Sequence, residues 1–280
     1  MVESQFNPHW VKLVRFQHPA KTLGFAKNIG DNVIAELYGM TAESFRSIRD
    51  RLEQQRRDAA LQLLADAAFA DRVDRLPFKQ GETVIGIGES TTDDLHSWLE
   101  ILRHLLQLRR PQDGIRLLNE GVSGHTSTQV LGRMIGIVNQ KPDWIICMIG
   151  SNDALRIGPE PAKCQVGLEE TIINLKRIRT IASTRTRARW VWMTPPMIDE
   201  LKAGNNPYFR QGELAWRNED ILAIGDFMRK QQETIVDPQY DFGASASSEW
   251  IEQDGVHPSL EGQKAIVKRL VEELTGGIAR

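Results

Sequence analysis

Four short stretches, far apart in the chain, hold side chains that could do chemistry together. They are Gly88-Glu-Ser90, Asn119 through Thr126, Gly150-Ser-Asn-Asp153, and Asp254-Gly-Val-His257-Pro258. A serine hydroxyl is a poor nucleophile at neutral pH and needs a base within hydrogen-bond reach. Histidine suits that task because its pKa lies near working pH. A carboxylate on the far ring nitrogen fixes the tautomer and stabilises the imidazolium that forms. Asp254 and His257 lie three residues apart in a glycine-containing turn, so one loop supplies both groups. Acyl transfer also creates an oxyanion that needs aimed N–H donors. Glycine at position 124 leaves its backbone N–H approachable, and Asn152 offers a side-chain amide.

Each group has a plainer reading. Ser90 after a strand is what an N-cap looks like, and Asp254 to His257 could be an ordinary turn before a helix capped by Ser259. Asn152, with Asp153 beside it, could cap a helix. The agreement of all four stretches argues against these separate explanations, as does the chain order Ser, Asp, His, which matches one known triad order. Two rival site classes fail. Gly86-Ile-Gly88 hints at a dinucleotide fingerprint, but Thr91 replaces its third glycine and Asn119 stands where the acid should end the next strand. A Gly-x-Ser-x-Gly elbow is also absent. His9, His18, His96 and His104 lack a carboxylate at local spacing and read as structural or surface residues.

The elements that must position these groups follow from the apolar pattern. Thr83–Ile87, Ile115–Leu118, Trp144–Ile149, Trp190–Met193 and Thr234–Val236 read as five strands. Amphipathic helices are predicted between them: one containing Trp98 to Leu105, then Val130–Val138, Leu168–Ala182, Asn218–Gln231 and a closing helix over Ser259–Leu274. Such alternation builds a parallel α/β sheet covered on both faces. Ligands then bind beyond the carboxyl ends of the strands, where three of the four stretches fall, the fourth preceding the last helix. Upstream, Met1 to Gly39 gives no assignable pattern. Thr41 then caps a long amphipathic helix with Phe45, Ile48, Leu52, Ala59 and Leu63 on one face, broken near Ala70 and ending before Pro77. That stripe fits a helix on the domain's flank or, alternatively, a surface for homo-oligomer contact.

The four stretches resemble, in order, the sequence blocks of the SGNH hydrolases, also called the GDSL esterase/lipase family. Gly88-Glu-Ser90 corresponds to the nucleophile block, Ser123-Gly-His-Thr126 to the oxyanion-glycine block, Gly150-Ser-Asn-Asp153 to the asparagine block and Asp254 to His257 to the Asp-x-x-His block. The resemblance covers about residues 82 to 275. It implies a three-layer, flavodoxin-like parallel five-stranded sheet over residues 81–280; residues 1–80 fall outside the resemblance and are expected, from their own pattern, to form a helical N-terminal extension. It further implies hydrolysis of small carboxylic esters, with no metal or organic cofactor. Ser90, Asp254 and His257 would be the triad, and the N–H groups of Ser90 and Gly124 with the Asn152 side chain the oxyanion hole. Glu89 departs from the pattern, standing where the family usually has aspartate. His125 also occupies a position more often acidic or amide. A non-catalytic binding protein on the same frame is the alternative.

The gross numbers agree with that class. The 35 basic and 37 acidic side chains leave a net charge of −2, which gives no reason to expect nucleic acid as a partner. The two cysteines, Cys147 in an apolar run and Cys164, suggest a buried free thiol rather than a disulfide framework. The start lacks the basic and apolar regions of a signal peptide, and no apolar run would span a bilayer. A cytoplasmic setting and a small-molecule ester partner are expected. Tyr208, Phe209, Trp216 and Trp250 are candidates for pocket walls.

Overall fold

Five short apolar runs pair into one parallel sheet because each is buried on both faces by helices. The structure, a computed structural model, describes residues 6–160, 162–245 and 249–276; the first five residues of the N-terminal extension and the last four of the chain lie outside them. The strands are β1 (Thr83–Gly88), β2 (Arg116–Gly121), β3 (Trp144–Met148), β4 (Arg189–Met193) and β5 (Thr234–Val236). Their order is β2-β1-β3-β4-β5, all parallel, which is the flavodoxin-like arrangement. Side chains alternate between faces along each strand. Val84, Trp144, Ile146, Val191 and Met193 enter one core, and Ile85, Ile87, Ile145, Cys147, Trp190 and Trp192 the other.

Among the described residues, the helices that pack around the sheet and in the N-terminal segment include α1 (Pro8–Phe16), α2 (Asp31–Leu37), α3 (Ala42–Leu64), α4 (Ala67–Asp74), α5 (Trp98–Arg109), α6 (Ser127–Val138), α7 (Leu168–Arg185), α8 (Asn218–Arg229) and α9 (Leu260–Leu274). Trp98, Leu99 and Leu102 of α5 and Ile266, Val267 and Leu270 of α9 cover the first face. Helices α6, α7 and α8 cover the second through residues such as Met134, Ile178 and Ile224.

The apolar stripe of α3 points into the chain's own interior. Ala59 and Ala60, with Phe69 and Val73 of α4, join the first sheet core, whereas Phe45, Ile48 and Leu52 form a third cluster with Val14 and Ala35. The predicted break near Ala70 lies earlier. Asp66 accepts hydrogen bonds from the N–H groups of Ala68 and Phe69, so it caps a new helix and ends the old one at Leu64. Strand boundaries also move by one to three residues; β2, for example, runs on through Asn119 to Gly121, and β3 stops at Met148. A small antiparallel sheet was not anticipated. It pairs Arg156–Ile157 with Lys163–Cys164 and Leu214–Ala215, and its strands are too short to show periodicity. Among the described residues no helix is long and apolar enough to cross a membrane.

Candidate active site

Each of the predicted stretches arrives at the same end of the sheet, but by a different local device. Ser90 opens a single helical turn, Ser90–Asp93, directly after β1, so its N–H is one of the first-turn donors with no intrahelical partner. The loop after β2 reverses at Gly124, whose φ of +81° is costly for any residue with a Cβ. The residues flanking it are tied down. The Ser123 N–H and hydroxyl both donate to Asp93 Oδ2 at 2.8 Å, and the His125 N–H donates to the Val122 carbonyl. Asn152 follows β3, and its side-chain amide donates to the His125 carbonyl at 3.0 Å, joining the second and third loops.

Asp254 and His257 share one tight loop ahead of α9. Gly255 allows it on two counts: its φ is +80°, and an added Cβ would come within 2.2 Å of the Ala203 nitrogen. Asp254 Oδ1 accepts the backbone N–H groups of Val256 and His257, both at 3.0 Å. Its Oδ2 lies 2.9 Å from His257 Nδ1, and His257 Nε2 lies 3.0 Å from Ser90 Oγ. A continuous chain therefore runs from carboxylate through imidazole to hydroxyl. Burial alone would raise the Asp254 carboxyl. Hydrogen bonds and charge from His257, with the two backbone donors, outweigh burial and hold the group well below the ordinary carboxylate range. It is a carboxylate at any working pH.

Glu89, the departure from the family pattern, has a defined place. Its buried carboxylate accepts the Ser151 N–H at 2.9 Å and the Asn152 N–H at 3.1 Å, one on each oxygen, so it fixes the backbone beneath the Asn152 amide. Burial pushes this carboxyl up to about 7 despite those hydrogen bonds. A second buried acid, Asp153, holds the start of α6: it accepts the Ser127 N–H and hydroxyl, with Thr171 on the same carboxylate at 3.0 Å.

Ser90, Gly124, Asn152 and His257 all line one cavity of about 390 Å³. Leu155 and Trp216 form part of its wall, brought side by side because they flank the paired strands of the small sheet, where Arg156 lies opposite Ala215. Trp216 is fixed by a hydrogen bond from Nε1 to the Ser151 carbonyl (3.0 Å) and by edge contact with Phe209. Of the other aromatic candidates, Tyr208 is 81% exposed, and Trp250 packs on Phe242 beside the first core. Cys147 is buried and free, far from disulfide chemistry. Among the described residues no three His, Cys, Asp or Glu side chains cluster as a metal site would need.

The opposite wall was not foreseen, because it comes from the segment that gave no readable pattern. Helix α1 lines the cavity with His9, Lys12, Leu13 and Phe16. The Phe16 ring packs on the His257 imidazole at 4.7 Å, and Lys12 Nζ reaches Asp254 Oδ2 at 3.3 Å. Two histidines set aside for want of local carboxylates have distant ones: His18 Nδ1 lies 2.8 Å from Asp93, and His104 Nε2 lies 3.3 Å from Glu53. Asn7-Pro8 was the available signal for α1, a capping side chain followed by proline at the first helical position.

A flavodoxin-like sheet carrying a carboxylate–imidazole–hydroxyl chain at its carboxyl edge defines a class, the carboxylic ester hydrolases built on this frame. The chain belongs to the GDSL-like lipase/acylhydrolase family, whose sequence profile matches residues 83–265. It is 26% identical over 219 residues to an acetylxylan esterase of Geobacillus stearothermophilus, covering 69% of this chain and 94% of that one. Over 164 residues it is 24% identical to thioesterase 1/protease 1/lysophospholipase L1 of Escherichia coli (strain K12), covering 58% of this chain and 69% of that one. Among solved structures, an alpha/beta hydrolase enzyme from the metagenome of Lake Arreo, Spain, superposes with a TM-score of 0.56 at 21% identity, over 71% of this chain and 97% of that one. The acetylxylan esterase of G. stearothermophilus gives 0.54 at 23% identity, over 70% and 95%.

Proposed function

We propose that the protein hydrolyses small acyl esters through an acyl-enzyme formed on Ser90. In this mechanism Ser90 Oγ attacks the ester carbonyl as His257 Nε2 takes its proton, and the carbonyl oxygen becomes an oxyanion. In this reading the N–H groups of Ser90 and Gly124 and the Asn152 amide, all from residues that line the cavity, donate to that oxygen. His257 then returns the proton to the leaving alcohol. Water, deprotonated by the same imidazole, releases the acid. Asp254 holds the ring in the tautomer that leaves Nε2 free to accept.

The observation that carries this reading is the unbroken Asp254–His257–Ser90 chain at 2.9 and 3.0 Å, with Ser90 and His257 lining one cavity. A non-catalytic frame would have no need for a carboxylate held charged by His257 and two backbone N–H donors. Two features favour a short acyl group, acetyl above all. The cavity, at about 390 Å³, sits at the small end of ligand sites, which run from roughly 300 to 1,000 Å³. The acetylxylan esterase relative also matches over nearly its whole length. The test is hydrolysis of p-nitrophenyl esters from acetyl to decanoyl by the wild-type protein and Ser90→Ala. Turnover should be greatest on acetyl and fall by at least about 10⁴ in the variant. Undiminished turnover in Ser90→Ala would refute the mechanism, and a maximum at long chains would refute the acyl class.

A further inference from the structure

The mechanism needs Ser90 and His257 to stay within hydrogen-bond reach, yet they stand on segments 167 residues apart. One side chain joins those segments directly, and it belongs to neither. Arg15, buried near the end of α1, donates from Nε to Asp94 Oδ1 at 2.9 Å and from Nη2 to Asp94 Oδ2 at 2.5 Å. Asp94 follows the turn that Ser90 opens, and its own N–H donates to the Ser90 carbonyl at 2.9 Å. The other arm of the guanidinium, Nη1, donates to Glu252 Oε1 at 2.6 Å. Glu252 opens the loop of the base: its N–H donates to the His257 carbonyl at 2.9 Å and its carbonyl accepts the Gly255 N–H at 3.0 Å. A planar guanidinium holds its donors in a fixed fork, so the two carboxylates it grips are kept at a set separation, and with them the nucleophile turn and the base loop.

We propose that Arg15 is a positioning residue of the active site, setting the distance and angle between Ser90 and His257 from outside the family's own region. The inference rests on the catalytic reading of Ser90 above. Lys12 and Phe16 lie on the same face of α1 at helical spacing and touch Asp254 and His257, so α1 meets the base loop along its whole last turn. Asp94 has no second side-chain cation to hold it among the described contacts; its remaining partner is the His96 N–H at 2.9 Å. Helix α1 is therefore the element through which both catalytic segments are referred to one rigid group.

Two perturbations separate positioning from mere support of the fold. Glu252→Ala cuts only the arm to the base loop and leaves the Arg15–Asp94 pair intact. Arg15→Met with Asp94→Asn removes the whole clamp without leaving the fully buried Asp94 carboxylate unpaired. Misplacing reacting groups by about 1 Å costs on the order of 10² in rate. In the wild-type background kcat on p-nitrophenyl acetate should fall by about tenfold in Glu252→Ala and by about 10² in the double variant. KM should stay within about twofold, the rate of fluorophosphonate labelling should fall in step with kcat, and Glu252→Gln, which keeps an acceptor, should recover most of the loss. If the double variant does not fold, Glu252→Ala and Glu252→Gln decide the matter. Unchanged kcat in Glu252→Ala, or a loss expressed only in KM, would overturn the proposal. A wild-type protein that neither turns over nor labels at Ser90 would instead remove the catalytic reading, and the proposal with it.

Discussion

Replacing Asp254 by asparagine should disable the site while hardly altering its shape, and the structure dictates why. Asp254 Oδ1 accepts two backbone N–H groups at 3.0 Å. In the variant the amide oxygen must keep that position, because an NH₂ group there would face two donors. The NH₂ group then occupies the place of Oδ2, 2.9 Å from His257 Nδ1. Lys12 favours oxygen at that place too, but as a single half-exposed donor at 3.3 Å it is outweighed. An amide donor opposite Nδ1 requires that nitrogen to be unprotonated, so the ring proton moves to Nε2. Nε2 then points a proton at Ser90 Oγ and cannot accept one. The wrong tautomer costs about 10⁴ in kcat in a triad of this kind, which corresponds to roughly 5 kcal/mol of barrier. Steady-state hydrolysis of p-nitrophenyl acetate, with a thermal melt to confirm folding, measures it. A folded Asp254→Asn protein retaining more than a tenth of wild-type kcat would refute the tautomer argument.

Other consequences follow from the oxyanion loops and from Glu89. On the proposed mechanism Asn152→Ala removes one oxyanion donor and should lower kcat by about 10²–10³ with KM little changed; steady-state kinetics would show it, and a change in KM alone would contradict it. Gly124→Ala meets no atom within 4 Å, so its cost is that of the φ of +81°, roughly 1–2 kcal/mol of stability, accompanied by at least about a tenfold fall in kcat. Denaturant titration and kinetics on the same sample test both parts. Glu89 binds its proton more tightly when folded, its carboxyl rising from 4.5 to about 7. The stability tied to that proton is therefore fully present below pH 4.5 and is lost as the pH rises through about 7, a change on the order of 3 kcal/mol. The stability of wild-type protein relative to Glu89→Gln should fall across that window, and a difference independent of pH would show that the group is not titrating there.

What could be read in the residues, and what could not, divides along a physical line. The five strands were legible because burial on both faces demands continuous apolar runs such as Trp144–Met148, and the four candidate-site stretches were legible because each is local, following a strand or turning on a glycine. Asp254 and His257 needed only three residues of separation to be paired. The contribution of α1 was hidden for the opposite reason. Lys12 meets Asp254 across 242 positions and Arg15 meets Glu252 across 237, and no periodicity within a nine-residue helix announces its partners. The break in the long N-terminal helix had a signal in Asp66, but an acid on a charged helix face looks like solvent exposure until its cap bonds are seen. Glu89 looked like a one-methylene disturbance of the nucleophile turn. In the fold its two oxygens take the Ser151 and Asn152 N–H groups.

The central claim is that one hydroxyl, and no other nucleophile in the chain, forms the acyl-enzyme. Peptide mapping of the protein after reaction with an excess of a fluorophosphonate tests it most directly. A single adduct on Ser90, at one per chain and with hydrolysis lost in proportion, is the predicted result. An adduct on another residue, or full esterase turnover with Ser90 unmodified, would contradict it.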